Sequence, residues 1–441
     1  MARAMKGSGI EWIGEIPVEW QVPRIKNIIQ QTKNGIKIGP FGSALTNKTT
    51  EKGEYNVYSQ ANLIASDFSF TKNTIDAYTF EELKGYEVFP GDICLSMMGT
   101  IGKCKKVPVG IARGIMDSHL IKIRLSESVD SRFFEYVYDK DLGGVCFSQM
   151  QFDKKGFIMD GLNTSIVKNL FFPLPSKYEQ VRIADFLDSE CARIDAVIEQ
   201  IRASIEEYKK LKQSVITQAV TKGIRPGRKM KDSGVEWIGE IPEEWTCEKL
   251  KYVTTISRGL FNHRPRSDER YYNGNYPFVQ TGDVAQATKY ITSYSQTLNE
   301  LGKSVSKEFP KGTLTMTIAA NVGDVAILGF DAYFPDSVVG FVPKEGITDL
   351  YLFYVLSAMK SEFVRTAIKS TQLNLNIERV KELFVPITTS LVEQQKIIDY
   401  LEKKCSEIDN LIICKKGIVS ELEYYKKSLI FEYVTGKKEV M

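Results

Sequence analysis

Histidine is scarce in this chain of 441 residues, which contains only His119 and His263. Two histidines cannot build a three-histidine metal site, so we predict no metal centre. The seven cysteines include no Cys-x-x-Cys pair, and an odd number without regular spacing is typical of reduced thiols in a cytoplasmic protein. No run approaches the ~20 apolar residues that a membrane span requires, and the first residues lack the apolar core of a signal peptide. We therefore expect a cytoplasmic protein without a membrane segment.

Motifs for nucleotide binding and covalent catalysis are also missing. No Gly-x-Gly-x-x-Gly sequence follows a strand-like run, so a dinucleotide or adenosylmethionine loop is not predicted. The segment MGTIGK at 98–103 looks like part of a phosphate loop, but Met97 stands where that loop needs glycine and Cys104 where it needs serine or threonine. The chain also lacks Gly-x-Ser-x-Gly and the Asp/Asn-Pro-Pro-aromatic motif of amino-methyltransferases. The sequence therefore argues against an enzyme in its own right.

Charge of either sign is not in excess. The 58 basic and 55 acidic residues leave a net charge of +3 at pH 7, so any nucleic-acid-binding surface must be local. Hydrophobic residues make up 43% and charged residues 26%, as in ordinary globular proteins. A chain of this length is too long for one core, which favours two or more domains.

An internal repeat is the most informative feature that is present. Residues 5–20 (MKGSGIEWIGEIPVEW) and 230–245 (MKDSGVEWIGEIPEEW) differ at only three of sixteen positions, and they contain all four tryptophans of the protein. The spacing of 225 is about half the chain length. Two similar units fused head to tail have pseudo-twofold character and can present similar surfaces to two identical partners.

Two long segments, 176–223 and 390–437, extend this repeat and align without a gap at a spacing of 214. Each begins with Ser-x-x-Glu, which predicts a capping box at a helix start. At ~1.5 Å per residue, 45 residues form a rod of roughly 65–70 Å.

Apolar residues in both segments alternate in steps of four and three, which is typical of a coiled-coil seam. Lysines fill the polar slots at Lys212, Lys415 and Lys426. We expect the two helices to bury their seams against each other in an antiparallel pair; the alternative is that each lies on its own globular module as a surface helix. The predicted seam consists of Leu187, Ile194, Ile198, Ile201, Ile205, Leu401, Ile408, Ile412, Val419 and Leu422.

The globular modules at 21–175 and 246–389 have short apolar runs separated by turn residues, which predicts mixed α/β structure. Their sequences share only short, weakly similar segments, which occur in the same order. Residues 101–103 (IGK) match 322–324 (VGD), and an Asp-Ser pair recurs at 117–118 and 336–337.

The tryptophan segments and the long helices, which we call the connectors, are similar in the two halves, whereas the modules between them have diverged. We expect this pattern if the connectors bind identical partners and the modules bind different targets. Local basic clusters occur at 102–124 and 258–270. Lysine and arginine neutralise phosphates, and amides or guanidinium groups read base edges, so these clusters suit nucleic acid. A solvated loop of mixed charge is an equally good interpretation of either cluster alone.

The whole chain resembles the DNA-specificity subunits of type I restriction–modification systems. The similarity rests on the two tryptophan segments, on IGPFGSAL at 38–45 and FDAYFPDSVVGFVP at 330–343, and on the helix openings EQVRIADFLD and EQQKIIDYLE at 179–188 and 393–402. These pieces are specific in combination and weak singly.

The resemblance implies an α+β fold, in which two mixed α/β target-recognition domains are joined by two long antiparallel coiled-coil helices in a pseudo-twofold internal repeat. Each domain would read one half of a split, asymmetric site on double-stranded DNA, and the helices would set the gap. Two methyltransferase subunits would dock on the connectors, with restriction subunits joining them; adenosylmethionine and ATP would belong to those partners. The expected boundaries are 1–20, 21–175, 176–229, 230–245, 246–389 and 390–441.

Base-reading residues vary within this family, so the DNA-binding candidates are polar residues in predicted loops. In the first domain they are Lys37, Ser43, Gln60, Asn62, Lys103, Arg113 and Gln151. In the second domain they are Arg264, Arg266, Gln280, Thr281, Asn321, Asp324 and Gln372. The candidates for partner docking are Trp12, Trp20, Trp237 and Trp245, although each tryptophan could equally fix its own module to the rod.

Two other functions remain open from the sequence. A coiled-coil scaffold that bridges two identical proteins without binding DNA would explain the repeat and the rods, but not the divergent basic modules. A self-sufficient DNA-modifying enzyme would need the adenosylmethionine loop that the sequence lacks. Within the favoured family, the methyltransferase subunits could also act without a restriction subunit.

Overall fold

The computed structural model describes residues 3–152, 162–369 and 373–440. The chain divides into two compact units, one made of Met1–Ile201 with Gly417–Met441 and the other of Arg202–Lys416. Each unit contains a tryptophan hairpin, a mixed module, the start of one long helix and the end of the other. This composition follows the internal repeat of the sequence.

The strands are short, as the punctuated apolar runs predicted. They are β1 Met5–Gly7, β2 Glu15–Pro17, β3 Ile36–Ile38, β4 Tyr55–Tyr58, β5 Asn73–Ile75, β6 Ile93–Ser96, β7 Cys104–Lys106, β8 Gly114–Met116, β9 Leu120–Ile123, β10 Met230–Asp232, β11 Glu240–Pro242, β12 Thr246–Lys249, β13 Thr254–Arg258, β14 Tyr272–Phe278, β15 Tyr290–Ile291, β16 Gln296–Leu298, β17 Glu308–Phe309, β18 Leu314–Thr317, β19 Val325–Leu328, β20 Ala332–Tyr333, β21 Val338–Pro343, β22 Ile368–Lys369, β23 Leu373–Asn374 and β24 Phe384–Ile387.

Two helices are far longer than the others. The helices are α1 Gly42–Leu45, α2 Gln60–Ala65, α3 Ala77–Glu82, α4 Ser131–Tyr138, α5 Val145–Phe152, α6 Thr164–Asn169, α7 Lys177–Lys222, α8 Leu250–Val253, α9 Thr281–Gln286, α10 Glu300–Ser304, α11 Asp349–Ala358, α12 Lys360–Thr366, α13 Ile377–Glu382 and α14 Leu391–Val434. Helices α7 and α14 lie within the two segments that the 4-3 spacing predicted.

The first module is built on two sheets. The larger is antiparallel with the order β3-β9-β6-β7, and the smaller has the order β5-β4-β8 with β4 and β8 parallel. Every residue of β6 and β9 is buried, so these two central strands contribute to the core of the module.

The second module repeats this topology although its sequence has diverged. Its larger sheet has the order β13-β21-β18-β19 with β15 added at the edge, and its smaller sheet has the order β16-β14-β20 with β17 added. Strands β14 and β20 run parallel, as β4 and β8 do. Each strand of the first module's two sheets thus has a counterpart in the same place. The tryptophan hairpins, β1–β2 and β10–β11, share the same antiparallel register.

The long helices run antiparallel within each unit. In the first unit, the Phe186 and Tyr433 rings have centroids 4.5 Å apart, and Lys426 Nζ lies 2.6 and 2.7 Å from the carboxylate oxygens of Asp195. A later residue of α7 therefore meets an earlier residue of α14. The start of α7 also packs on its own module, as the alternative interpretation proposed. Leu187 of α7 is fully buried in the core of the first module.

The second unit repeats the antiparallel pairing. Lys415 Nζ lies 5.5 Å from the centre of the Tyr208 ring, and Lys212 Nζ lies 2.7 and 2.8 Å from the carboxylate oxygens of Asp409. The predicted polar slots at Lys212 and Lys426 thus each hold a lysine–aspartate pair. A polar pair at one position of an apolar seam disfavours other registers.

Candidate nucleic-acid interface

Four separate segments of the first module meet at one end of its strands. A side chain at Gly39 would clash with Asp117, since a Cβ there would lie 1.7 Å from its carbonyl oxygen. The Met97 amide donates to the His119 carbonyl at 3.0 Å, and Gln60 Nε2 donates to Thr100 Oγ1 at 2.6 Å. The loop after β3, the start of α2, the β6–β7 loop and the turn after β8 therefore form one surface.

The second module brings together the counterparts of these four segments. A Cβ at Gly259 would lie 2.2 Å from the Pro335 carbonyl oxygen, and the Ile318 amide donates to the Ser337 carbonyl at 2.9 Å. The start of α9, at Gln280, follows the parallel strand β14 as the start of α2 follows β4. We call these matching surfaces the loop faces.

Arginines give the loop face of the second module a positive charge. Arg264 Nη2 lies 3.2 Å from one carboxylate oxygen of Asp336, and Arg266 forms an ion pair with the other. Arg258 Nε donates to the Asp336 carbonyl at 2.7 Å. The side chains of Arg264 and Arg266 remain 53% and 45% exposed, so both stay accessible to a phosphate or a base edge.

At the matching position of the first module, Asp117 faces His119 instead of arginine. The His119 amide donates to Asp117 Oδ1 at 2.9 Å, and His119 Nδ1 lies 3.5 Å from Oδ2. Burial raises the pKa of the Asp117 carboxyl above its ordinary value. The two loop faces therefore share a backbone layout but differ in the chemistry they present.

Some candidates of the first module are free on or beside this face, and others are engaged in contacts within the module. Ser43 is exposed in α1, the short helix that follows the loop after β3, and Gln60 lies at the start of α2. Lys37 Nζ instead donates to the Gly85 carbonyl at 2.9 Å, and Lys103 is engaged in an ion pair with Asp141.

Arg113 lies away from the loop face. It immediately precedes β8, whereas the turn that contributes to the face follows the other end of that strand. Its Nη2 lies 2.9 Å from Glu87 Oε1, and its guanidinium carbon lies 5.0 Å from the centre of the Phe80 ring. The structure does not bring Arg113 together with Gln60 and Ser43.

Asn62 is a correction to the expected set of base readers, because its side chain is buried and fully used. Its Oδ1 accepts from the Ser59 amide at 2.9 Å, and its Nδ2 donates to the carbonyls of Asp67 at 2.9 Å and Phe70 at 2.7 Å. It caps α2, and Asp283 does the same for α9 by accepting from the Gln280 amide at 2.7 Å. Because the Asn62 side chain is buried and both its amide groups are engaged within the module, it is not available to a base.

In the second module, Gln280, Thr281 and Asn321 belong to the loop face, and Asn321 is exposed. Asp324, at the end of the β18–β19 loop, lies 2.5 Å from Lys360 Nζ. Gln372 lies outside the described residues. The side chain of Gln151, in α5 of the first module, also falls outside what the structure describes.

Sequence reasoning missed several residues of these faces. Phe41, in the loop after β3, is 85% exposed, and the residues Thr100, Arg258 and Asp336 are placed only by tertiary contacts. The weak sequence similarity of 101–103 and 117–118 to the second module could have indicated them, since these residues lie in the β6–β7 loop and in the turn after β8.

Trp20 and Trp245 hold the hairpins to the long helices. Both are fully buried, and their indole Nε1 atoms donate to Glu179 Oε2 at 3.0 Å and Glu393 Oε2 at 3.2 Å. These glutamates belong to the predicted capping boxes. The preceding serines do cap the helices, but the glutamate side chains accept from tryptophan instead of closing the box.

The ends of the long helices meet the same two tryptophans. A Cβ at Gly223, after α7, would lie 3.5 Å from Trp245, and one at Gly436, after α14, would lie 3.1 Å from Trp20. Both glycines have a positive φ, +71° and +70°, which suits a helix C-terminal cap. Each tryptophan is thus covered by the start of one long helix and the end of the other.

This burial corrects the expected role of two tryptophans in partner docking. Because Trp20 and Trp245 have no exposed surface, they fix the hairpin to the rod, which is the other role the sequence left open. Trp12 and Trp237 are only partly buried, and Trp237 Nε1 donates to the Phe384 carbonyl at 3.2 Å. Docking stays a prediction for these two.

The seam residues are buried along both helices, except for three that are half-buried. Ile201, Val419 and Leu422 are the half-buried ones. The buried ones are Leu187, Ile194, Ile198, Ile205, Leu401, Ile408 and Ile412.

Glu393 predicts an acid-sensitive step in stability. Burial raises the pKa of its carboxyl, but hydrogen bonds from Arg228 and Trp245 outweigh burial and hold that pKa below its usual value. A depressed folded-state pKa contributes stability above the unfolded pKa of about 4.3, and this is lost as pH falls through the folded pKa. We expect Glu393→Gln to lower the free energy of unfolding by about 2–3 kcal/mol at pH 7, and by less below about pH 4.

The measurement is denaturant unfolding of both proteins between pH 3 and pH 7. Glu407→Gln is the matched control, since Glu407 pairs with Lys404 on the exposed side of the same helix and its replacement should leave the stability nearly unchanged. A Glu393→Gln deficit that is the same at every pH would contradict the expected linkage.

Within the described ranges, no cluster of three or more histidine, cysteine, aspartate or glutamate side chains could hold a metal ion. Over the same part of the chain, no helix is long and apolar enough to cross a membrane.

Comparison with known proteins identifies the family. A family model described as type I restriction modification DNA specificity domain matches residues 17–207 and 242–424. The chain is 26% identical over 444 residues to the type I restriction enzyme MjaVIII specificity subunit of Methanocaldococcus jannaschii, with 96% of this chain and 94% of that protein covered. It is 23% identical over 373 residues to the EcoBI specificity subunit of Escherichia coli, with 77% and 72% covered.

A solved structure supports the fold. A chain determined in work on complex assembly and conformational transition of the type I R-M system matches with a TM-score of 0.67 and 16% identity, over 96% of this chain and 99% of that one. The two matches to the family model fall on the two halves of the internal repeat and together span more than half of the sequence. The chain therefore belongs to the type I restriction modification DNA specificity family.

Proposed function

We propose that this chain is the non-catalytic DNA-recognition subunit of a type I restriction–modification complex. Each module reads one half of a bipartite, asymmetric site on double-stranded DNA. The observation that carries the proposal is the pair of loop faces, which have the same strand topology beneath them but different side chains on them. A shared scaffold with different readers suits two unlike half-sites.

The arginines of the second loop face support contact with DNA. Arg264 and Arg266 share a single carboxylate, that of Asp336, so this cluster keeps an excess of positive charge. A cation that neutralises a phosphate releases bound counterions, which makes DNA affinity fall with salt. The coiled coil would then hold the two faces at a fixed separation and so set the gap between half-sites.

Methyltransferase and restriction subunits are the proposed protein partners, and adenosylmethionine and ATP would bind to them. The repeated exposed apolar side chains of the long helices support docking of two identical methyltransferase subunits. Val197 of α7 and Leu411 of α14 are exposed at the repeat spacing of 214, as are Leu211 and Tyr425. Each lies beside the seam, where a partner helix could cover it. Such a complex would work in the cytoplasm, where host DNA is.

The experiment is a gel-shift titration at several salt concentrations, with the chain alone and with its methyltransferase partner. We expect specific binding of genomic fragments that carry a bipartite site. Arg264→Ala and Arg266→Ala should each weaken binding to all sequences, and each should reduce the slope of log affinity against log salt by about 0.9.

Tyr290→Ala is the control, because it removes an exposed side chain of the same module outside the loop face. A scaffold that binds no DNA would give no shift with or without the partner. Adenosylmethionine crosslinking to the isolated chain would instead favour a self-sufficient enzyme.

A further inference from the structure

The β6–β7 loop and the β18–β19 loop are built alike, although their sequences differ. In each, the last residue of the first strand carries a fully buried hydroxyl that ties the loop together. Ser96 Oγ donates to the Thr100 carbonyl at 2.5 Å and accepts from the Lys103 amide at 3.0 Å. Thr317 Oγ1 donates to the Asn321 carbonyl and accepts from the Asp324 amide at 3.1 Å. Both hydrogen-bonding functions of each hydroxyl are spent on loop shape.

The backbone conformations of the loops also match. Gly99 and Ala320 stand at the same position and have φ values of +65° and +62°, and Gly102 and Gly323 follow with +92° and +86°. Alanine is strained in this left-handed region, and such strain persists where the surrounding structure imposes it. The hydroxyl brace supplies that constraint for Ala320.

The tips of the loops differ, and they are the accessible part. Residues 98–100 are Met-Gly-Thr and residues 319–321 are Ala-Ala-Asn. Asn321 is exposed, and its side chain makes no hydrogen bond with the described residues. Thr100 Oγ1 accepts from Gln60 at 2.6 Å, which leaves the hydroxyl proton for an outside acceptor. A rigid loop with unlike polar tips can recognise unlike bases.

The chemistry of the two tips differs in specificity. An exposed asparagine amide offers a donor and an acceptor side by side, which matches N7 and the N6 amino group of adenine in the major groove. A threonine hydroxyl can bind several base-edge acceptors and is less selective. Both loops lie on the loop faces, beside the starts of α2 and α9.

We propose that these two loops are the base-reading elements of their modules, that Ser96 and Thr317 are positioning residues that hold them in shape, and that Asn321 recognises an adenine in the half-site of the second module. This inference rests on the proposed function, because it names the part of the loop face that reads sequence. The arginines around Asp336 then supply affinity, and Asn321 supplies discrimination.

The test is methylation mapping of host genomic DNA by the full chain in complex with its methyltransferase partner. For Asn321→Ala, we expect the preference for adenine at one position of one half-site to fall about five- to a hundredfold, with the other half-site unchanged. Thr317→Val should relax recognition in the same half-site about tenfold, and Thr317→Ser should restore it because the hydroxyl is retained. Ser96→Ala should act on the other half-site alone.

Thr315→Val is the matched control. Thr315 lies two residues earlier on β18, is fully buried, and donates to the Ala326 carbonyl at 3.0 Å without touching the loop. The substitution removes a comparable buried hydroxyl and should leave the recognition of both half-sites unchanged. If Asn321→Ala retains every base preference of the unaltered protein, or if Thr317→Val behaves like Thr315→Val, the assignment of the loop is overturned. If the unaltered complex methylates no bipartite sequence, the proposed function itself fails.

Discussion

Inserting one heptad into each long helix should lengthen the gap between the two half-sites by about three base pairs. Seven residues add ~10.5 Å to a helix and keep the 3.5-residue seam in phase, and DNA rises ~3.4 Å per base pair. The insertions belong between residues 201 and 202 of α7 and between 416 and 417 of α14, where the chain passes from one compact unit to the other. Methylation mapping of the complex measures the gap directly.

A heptad in only one of the two helices is the control for this experiment. It displaces one seam against the other by seven residues, so it parts Lys212 from Asp409 or Lys426 from Asp195. We expect that variant to lose specific methylation. A gap that is unchanged in the double insertion, with methylation retained, would rule out the coiled coil as the spacer.

Trp245→Ala should lower the free energy of unfolding by about 3–5 kcal/mol, as truncations of large buried aromatic side chains do. Trp245 packs beneath Gly223 at the end of α7, and its indole donates to Glu393 at the start of α14. Its removal therefore leaves a cavity and takes a hydrogen bond from a buried carboxylate. At roughly 2–4 °C per kcal/mol for a unit of this size, the thermal midpoint should fall by about 10 °C. Circular dichroism during heating gives the measurement.

Trp237→Ala is the matched control, because Trp237 lies in the same hairpin but is partly exposed and packs less completely. It should cost distinctly less stability. Trp20→Ala should repeat the large effect in the first unit, where Trp20 contacts Glu179 and Gly436. If Trp237→Ala and Trp245→Ala lowered the free energy of unfolding equally, the result would argue against the buried tryptophan as the residue that fixes the hairpin to the helices.

The long helices were predictable because their information is local. A 4-3 spacing over many turns can be read directly, and the observed helices Lys177–Lys222 and Leu391–Val434 fall inside the predicted segments. The prediction of a capping box at each helix start was correct only for the serine. The serines cap the helix starts, but the glutamate side chains turn to the buried tryptophans, which lie more than 140 residues away in sequence.

The candidate site was less predictable for the same physical reason. Asn62 and Gln60 look equivalent in the sequence, yet one is buried and fully hydrogen-bonded as a helix cap and the other reaches the β6–β7 loop. Arg113 belongs to the basic cluster but lies at the far end of β8 from the loop face. Charge and residue type predicted a binding surface without deciding which side chains face outward.

The sequence by itself determined the internal repeat, the two long helices and the family, since each depends on local periodicity or on runs of matching residues. Only the tertiary structure decided that the diverged modules share one strand order, that Trp20 and Trp245 are buried beneath the helix ends, and that four distant segments form each loop face. The physical reason is that strand order, burial and loop assembly depend on contacts between residues far apart in the chain, whereas helix periodicity depends on neighbours within a few turns.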